Sequence, residues 1–228
     1  MSEFTVLDTP EEVAATAADE IARALRGGAR TLVLAGGTTP KRCYELLARL
    51  DVQWGRVTIL FGDERCVPPD HPDSNYRMAR EALLDQVAPA TVHRMAGELG
   101  PEEGAAEYSR VVASLAPLDV VILGIGEDGH TASLFPGHPE LEAKGWAVGV
   151  HNSPKPPPER VTLTLQALRG AGRVIILATG AGKAQAVAMA KRREVPSGMI
   201  AGAHWLLDRA AVGSPSPPRG RGQGRGAL

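Results

Sequence analysis

The chain has 228 residues, 43% of them apolar and only 4% aromatic, with a formal net charge of -1. That length supports one large domain packed mainly with Ala, Val, Leu and Ile, and it excludes a small disulfide scaffold. No run reaches the roughly 18–20 apolar residues of a membrane-spanning helix. Setting aside Arg219, Arg221 and Arg225 of the last fifteen residues, residues 1–213 carry -4. The body of the protein therefore has no general pull toward nucleic acid, and an anionic ligand needs its own local cluster of cations.

Taken in chain order, residues 10–26 read as a helix. Thr9 and Glu12 fit a capping box, Pro10 suits the first helical position, and Val13, Ala17, Ile21 and Leu25 form an apolar stripe. TLVLAGG, 31–37, reads as a buried strand running into glycine, with Thr39 and Pro40 opening a helix that extends to about Leu50. VTILFGDER, 57–65, is a second strand ending abruptly in charge, followed by a Pro- and Asp-rich loop over 66–73. A helix is expected from about Asn75 to Val87, a short strand over 91–95 and a helix from Pro101 to Leu115. LDVVILGIG, 118–126, is the strongest buried-strand signal. Further strands are expected over 145–151, 160–165, 173–180 and 199–201. Helices are expected from Lys183 to Lys191 and from His204 to Ala211. Alternation of this kind predicts a single three-layer α/β/α domain over 1–213, with a mainly parallel, Rossmann-like sheet. The tail 214–228, SPSPPRGRGQGRGAL, is expected to be disordered.

The N-terminus MSEFTVLDTPEE carries acids and no apolar signal core, and two cysteines, Cys43 and Cys66, fit a reducing compartment. A cytoplasmic setting is the expectation.

In an open α/β sheet, ligands bind beyond the carboxyl ends of the strands. Four such ends carry unusual residues. AGGTTPK offers backbone N–H groups of Gly36 and Gly37, the Thr38 hydroxyl and a helix N-terminus, all suited to a phosphate, without a Walker A or dinucleotide spacing. Asp63, Glu64 and Arg65 follow a buried strand directly, where three charges either line a cleft or pair with one another and with Arg77. Arg77 is a candidate bidentate phosphate clamp. At the third end, GIGEDGHTASLFPG places Asp128 and His130 two residues apart in a glycine-rich turn. A carboxylate beside an imidazole can fix its tautomer and make it a general base. His71, His93 and His138 lack ligand spacing around His130, so no metal is expected, and Ser133 lacks the nucleophile elbow. At the fourth end, Lys183 sits at a helix start, where a cation is disfavoured unless an anion binds there too.

LAGGTTPKRCYELL (34–47), FGDERCVPPDHPDSNYRMARE (61–81) and LGIGEDGHTASLFPGHP (123–139) together resemble the 6-phosphogluconolactonase family. The likeness continues through SPKPPPERVTLT (153–164), ATGAGKAQAV (178–187) and HWLLDRAA (204–211). It implies a sugar-phosphate isomerase-like fold, and hydrolysis of 6-phospho-D-glucono-1,5-lactone in the pentose phosphate pathway without metal or organic cofactor. It also places the family histidine on His130 and phosphate-binding features on Gly37, Thr38, Arg77 and Lys183. The expected partner is this small lactone, with no nucleic acid or membrane; monomer and dimer stay open. An aminosugar-phosphate deaminase on the same fold would be expected to carry FNEPG where this chain has SLFPG at 133–137. A non-catalytic sugar-phosphate sensor is a further alternative.

Overall fold

The computed structural model describes residues 2–213. The chain begins with β1 (Glu3–Leu7), α1 (Pro10–Arg26), β2 (Thr31–Leu34), α2 (Thr38–Leu47), β3 (Thr58–Phe61), β4 (Asp63–Arg65) and α3 (Asn75–Ala79). It continues through β5 (Thr91–Val92), α4 (Pro101–Leu115), β6 (Val120–Gly124), β7 (Ala147–Val150) and β8 (Arg160–Leu163). It closes with α5 (Leu165–Arg169), β9 (Arg173–Ala178), α6 (Ala184–Lys191) and β10 (His204–Asp208). Seven strands form one sheet in the order β1-β10-β9-β6-β2-β3-β5, with every pairing parallel. Three more, in the order β4-β8-β7, form a small antiparallel sheet.

The centre of the parallel sheet is buried because its strands are mainly apolar. All four residues of β2 are buried, as are Val120 to Leu123 of β6 and Val174 to Ala178 of β9. Helices flank it in the three-layer α/β arrangement, α1 and α2 packing on each other. The expected capping box on α1 is present. Glu12 N donates to Thr9 Oγ1 at 3.2 Å, and Thr9 N donates to the Glu12 carboxylate at 3.1 Å. Two buried tyrosines clip the strand ends that lead into the unusual turns. Tyr44 Oη accepts from Ala35 N at 2.7 Å and donates to Ala35 O at 3.0 Å. Tyr108 Oη does the same for Phe61, at 2.7 and 3.0 Å. Each clip satisfies backbone groups that the ladder leaves behind and that burial would otherwise make costly.

Several boundaries differ from the sequence expectation. Segment 57–65 is not one strand. It breaks at Gly62, so that β3 ends in the parallel sheet and β4 opens the small one. The helix expected to Val87 is α-helical only to Ala79 and then widens into a π turn over Arg80–Leu84. Residues 160–165 divide into β8 and the start of α5, and Pro196–Met199 forms a 3-10 turn where a short strand over 199–201 was expected. Residues 204–211 are not one helix, since only Ala210–Val212 turns, as a 3-10 turn. His204–Asp208 is a strand inserted between β9 and β1, with Trp205, Leu206 and Leu207 all buried, because a site walled in on both faces favours extended apolar residues regardless of local periodicity. The strand β1 was not anticipated at all. Its five residues alternate only weakly, and it exists through pairing with β10. The tail 214–228 lies outside the described residues.

Candidate active site

Between the carboxyl ends of the parallel strands and the small sheet lies a cavity of about 190 Å³. Gly36, Gly37, Asp63, Arg65, His130 and Lys183, drawn from the four strand ends, line it together. Asn75, Lys155 and Arg160 complete its polar wall. These three were not singled out from the sequence. Lys155 and Arg160 lie in the proline-rich stretch SPKPPPER, whose only local signal is two cations flanking a run of prolines.

The third turn is shaped around an imidazole. Gly126 N donates to His130 O at 2.8 Å and Gly129 N to Gly126 O at 3.0 Å, closing the loop on itself. A Cβ at Gly126 would collide with the His130 ring and with the Asp128 carboxylate, and Gly129 has φ +85° and faces Val195. Asp128 Oδ1 accepts from His130 N at 3.1 Å and lies 2.5 Å from His130 Nδ1. An ionised carboxylate only accepts, so Nδ1 carries the proton and Nε2 is left with its lone pair. The ring also packs on Phe135, with centroids 4.6 Å apart. Burial holds the His130 pKa below its ordinary value of 6.5, against the opposing pull of Asp128. Burial raises the pKa of Asp128, but bonds and charge from His130 outweigh it and hold the carboxyl below its ordinary value. Asp128 itself stands behind His130 rather than in the cavity wall.

The second turn divides its charges by role. Glu64 faces inward, 2% exposed, and accepts from Arg65 N, Ser74 Oγ, Asn75 N and Tyr76 N at 2.7–2.9 Å. It therefore fastens the start of α3 to β4, and burial pushes its carboxyl up against those four bonds. Asp63 points into the cavity, accepting from Ser133 Oγ at 2.6 Å and Asn75 Nδ2 at 3.2 Å. Asn75 in turn lies where a Cβ on Gly36 would be, so that glycine is needed for the first and second turns to touch. Arg77 is turned away from the cavity. Its guanidinium pairs with Glu81 at 2.8 Å and donates to Asp70 O at 3.0 Å, which differs from both the phosphate clamp and the Asp63 or Glu64 pairing anticipated for it. Thr38 begins α2 but is absent from the cavity wall.

At the fourth turn, the Asp208 carboxylate accepts from Gly180 N at 3.0 Å and from Ala211 N at 2.8 Å. The Thr39 and Thr179 hydroxyls meet at 2.7 Å, tying the Lys183 turn to the N-terminus of α2. Ser133 is fully buried and engaged with Asp63, and burial pushes the Cys66 thiol up to about 11, so neither presents a ready nucleophile. Among the described residues no three His, Cys, Asp or Glu side chains gather as metal ligands, and no helix is long and apolar enough to cross a membrane.

A parallel α/β sheet whose carboxyl ends close a cationic cavity around a carboxylate-held histidine defines a protein of the sugar-phosphate isomerase-like class. The chain belongs to the family described as glucosamine-6-phosphate isomerases/6-phosphogluconolactonase, which matches residues 8–207. It is 41% identical over 219 residues to 6-phosphogluconolactonase of Streptomyces coelicolor, covering 84% of each chain. It is 38% identical over 203 residues to that of Synechocystis sp., covering 81% of this chain and 84% of that one. Among solved structures, 6-phosphogluconolactonase from Trypanosoma brucei superposes with TM-score 0.83 at 29% identity, covering 93% of this chain and 98% of that one. The Thermotoga maritima 6-phosphogluconolactonase gives 0.84 at 27%, covering 92% and 100%. A monomeric glucosamine-6-phosphate deaminase, at 22% identity and TM-score 0.80, shares the fold.

Proposed function

We propose that this chain is a hydrolase that opens 6-phospho-D-glucono-1,5-lactone to 6-phospho-D-gluconate, with His130 as general base. The observation that carries the mechanism is the His130–Asp128 pair, whose Nε2 has no hydrogen-bond partner among the described residues, at the wall of a cavity rich in cations. In this mechanism Nε2 takes a proton from water as its oxygen bonds to C1 of the lactone. The tetrahedral intermediate then collapses, the bond from C1 to the ring oxygen breaks, and the proton held by His130 passes to that oxygen. Asp128 keeps the ring in one tautomer and stabilises the imidazolium between the two transfers. The 6-phosphate docks at the N-terminus of α2, on Gly36, Gly37 and Lys183, and this remote anchor orients the ring. Asp63 and Arg65 contact the sugar body, while Thr38 and Arg77 support the site from outside its wall.

The proposal extends to a cytoplasmic enzyme, monomer or dimer, that needs no metal or organic cofactor and has a small anionic substrate as its partner. The test is acid release from the lactone, followed in a pH-stat with the spontaneous rate subtracted, beside ammonia release from glucosamine 6-phosphate. Acid release above background with no ammonia is the expected outcome. Ammonia without acid release would reverse it in favour of the deaminase reaction, and Phe135 at the position anticipated for a carboxylate stands against that outcome.

A further inference from the structure

The cavity wall holds four cations, Arg65, Lys155, Arg160 and Lys183, against one carboxylate, Asp63, beside the neutral His130. A phosphate monoester brings a charge of roughly -2, so one phosphate does not account for this excess. Nor do the cations lie together in the fold. Lys183 belongs to the parallel sheet, where the Thr39–Thr179 contact holds its turn against the start of α2. The other three belong to the small sheet and its connection.

Arg65 on β4 and Arg160 on β8 are register partners, directly opposite each other in an antiparallel pair. Like charges so placed repel. Among the described residues a single carboxylate pairs with either of them, and only loosely. The nearest approach to Arg160 is Asp63 Oδ2 at 4.0 Å, and Asp63 already accepts from Ser133 and Asn75. Arg160 is 4% exposed and spends its donors on the carbonyls of Lys155, Pro156 and Pro157 and on Ser133 Oγ. Arg65 gives one nitrogen to Asp73 O, while its Nε is buried with no partner among the described residues. An unpartnered buried donor beside a second guanidinium is suited to receive an anion. By gripping three successive carbonyls, Arg160 also fixes the strap 153–158, which brings Lys155 to the same wall. Arg160 lies over the Phe135 ring, 5.7 Å from its centroid, and the His130 ring packs on Phe135 with centroids 4.6 Å apart, which puts this group of cations at the catalytic end.

We propose that the cavity has two anion poles, and that Arg65 and Lys155, backed by the buried Arg160, form the one that receives the C1 oxygen as it turns into an oxyanion and then holds the product carboxylate. The idea rests on the lactonase reaction proposed above. C1 is uncharged in the substrate, carries a negative oxygen in the tetrahedral intermediate and ends as a carboxylate. A pole waiting at that end binds the transition state better than the substrate, and that difference is catalysis. Arg65 and Lys155 are then catalytic residues, and Arg160 is a positioning residue acting through the strap. The same pole makes the product a tighter ligand than a phosphate ester lacking the carboxylate.

Two ligands separate the poles. 6-Phosphogluconate carries both anions, and glucitol 6-phosphate carries the phosphate with an uncharged C1. Their affinities are measured by calorimetry on the full chain, for the wild type and for Lys155→Met, Lys155→Arg and Lys183→Met. Lys155 is exposed, so its replacement spares the fold. Lys155→Met is expected to weaken 6-phosphogluconate by roughly ten-fold or more while moving glucitol 6-phosphate by less than about two-fold. It should also lower kcat for the lactone more than it raises KM, with partial recovery in Lys155→Arg. Lys183→Met is expected to weaken both ligands alike. Equal weakening of both ligands by Lys155→Met would assign this pole to phosphate and overturn the proposal, as would no change in either. A wild type that binds 6-phosphogluconate more tightly than glucitol 6-phosphate yet releases no acid from the lactone would refute the lactonase reaction instead, leaving a carboxylate pole without that role.

Discussion

Replacing His130 by Ala tests the base directly. Loss of a general base is expected to lower kcat by roughly 10²–10⁴-fold, with KM nearly unchanged because the phosphate anchor is untouched. The pH profile adds a second check. His130 must be neutral to accept a proton, and burial holds its pKa below 6.5. The acid limb of kcat/KM for the enzyme should therefore have its midpoint below pH 6.5. Asp128 opposes that shift, so Asp128→Asn should move the limb to still lower pH while reducing kcat through loss of the tautomer. A limb that rises in Asp128→Asn would contradict the pairing. The Gly-Glu-Asp-Gly-His turn was legible in the sequence because charge and glycine after a buried strand have few packing explanations. Lys155 and Arg160 were not legible. They enter the site only through the pairing of β4 with β8, nearly 100 residues apart, and a strap of prolines hides which way a cation turns. Arg77 stands apart from its sequence expectation for the opposite reason. An arginine beside a charged turn looks available, but Glu81 one helical turn later neutralises it locally.

At the scale of the element, the segment from β4 to α3 is joined by one carboxylate. Glu64→Ala strands three backbone N–H groups and a hydroxyl in a buried setting. The expected cost is about 2–4 kcal/mol, which for a chain of this size lowers Tm by roughly 5–15 °C in a thermal melt. A fall of less than about 2 °C would show that α3 is held in some other way. Helices were readable where caps and an apolar stripe agree, as in α1, and buried strands where four or more apolar residues ran into glycine, as in β2, β6 and β9. β10 was not readable as a strand. HWLLDRAA has the composition of a short helix, and only the two flanking strands make an extended form the better way to bury Trp205, Leu206 and Leu207. The division of 57–65 at Gly62 was equally invisible, since both halves are extended and differ only in the sheet they join.

For the whole molecule, a formal charge of -1 coexists with a cavity where cations outnumber carboxylates. Attraction of an anionic substrate is then local and open to screening. Raising NaCl from about 0.05 M to about 0.5 M should lower kcat/KM several-fold with a smaller effect on kcat. A kcat/KM independent of salt would mean the cations act only after docking. The small sheet must also stay seated for Asp63, Arg65 and Arg160 to face the parallel strands. Its seat is α4, where a Cβ on Gly149 would lie 2.8 Å from Pro101. Gly149→Val should thus destabilise the fold by about 1–3 kcal/mol, read as a lower denaturation midpoint. The sheet order carries one more consequence, in time rather than space. β1 is made well ahead of β10, its strand partner among the described residues, which lies some 200 residues later. At about 5–20 residues per second, a ribosome takes roughly 10–40 s to supply that partner. Throughout that interval β1 has no place in the sheet, and any early-folding unit must form around β2, β3 and β6 without it. Of the described strands, the first to be synthesised is among the last to be paired.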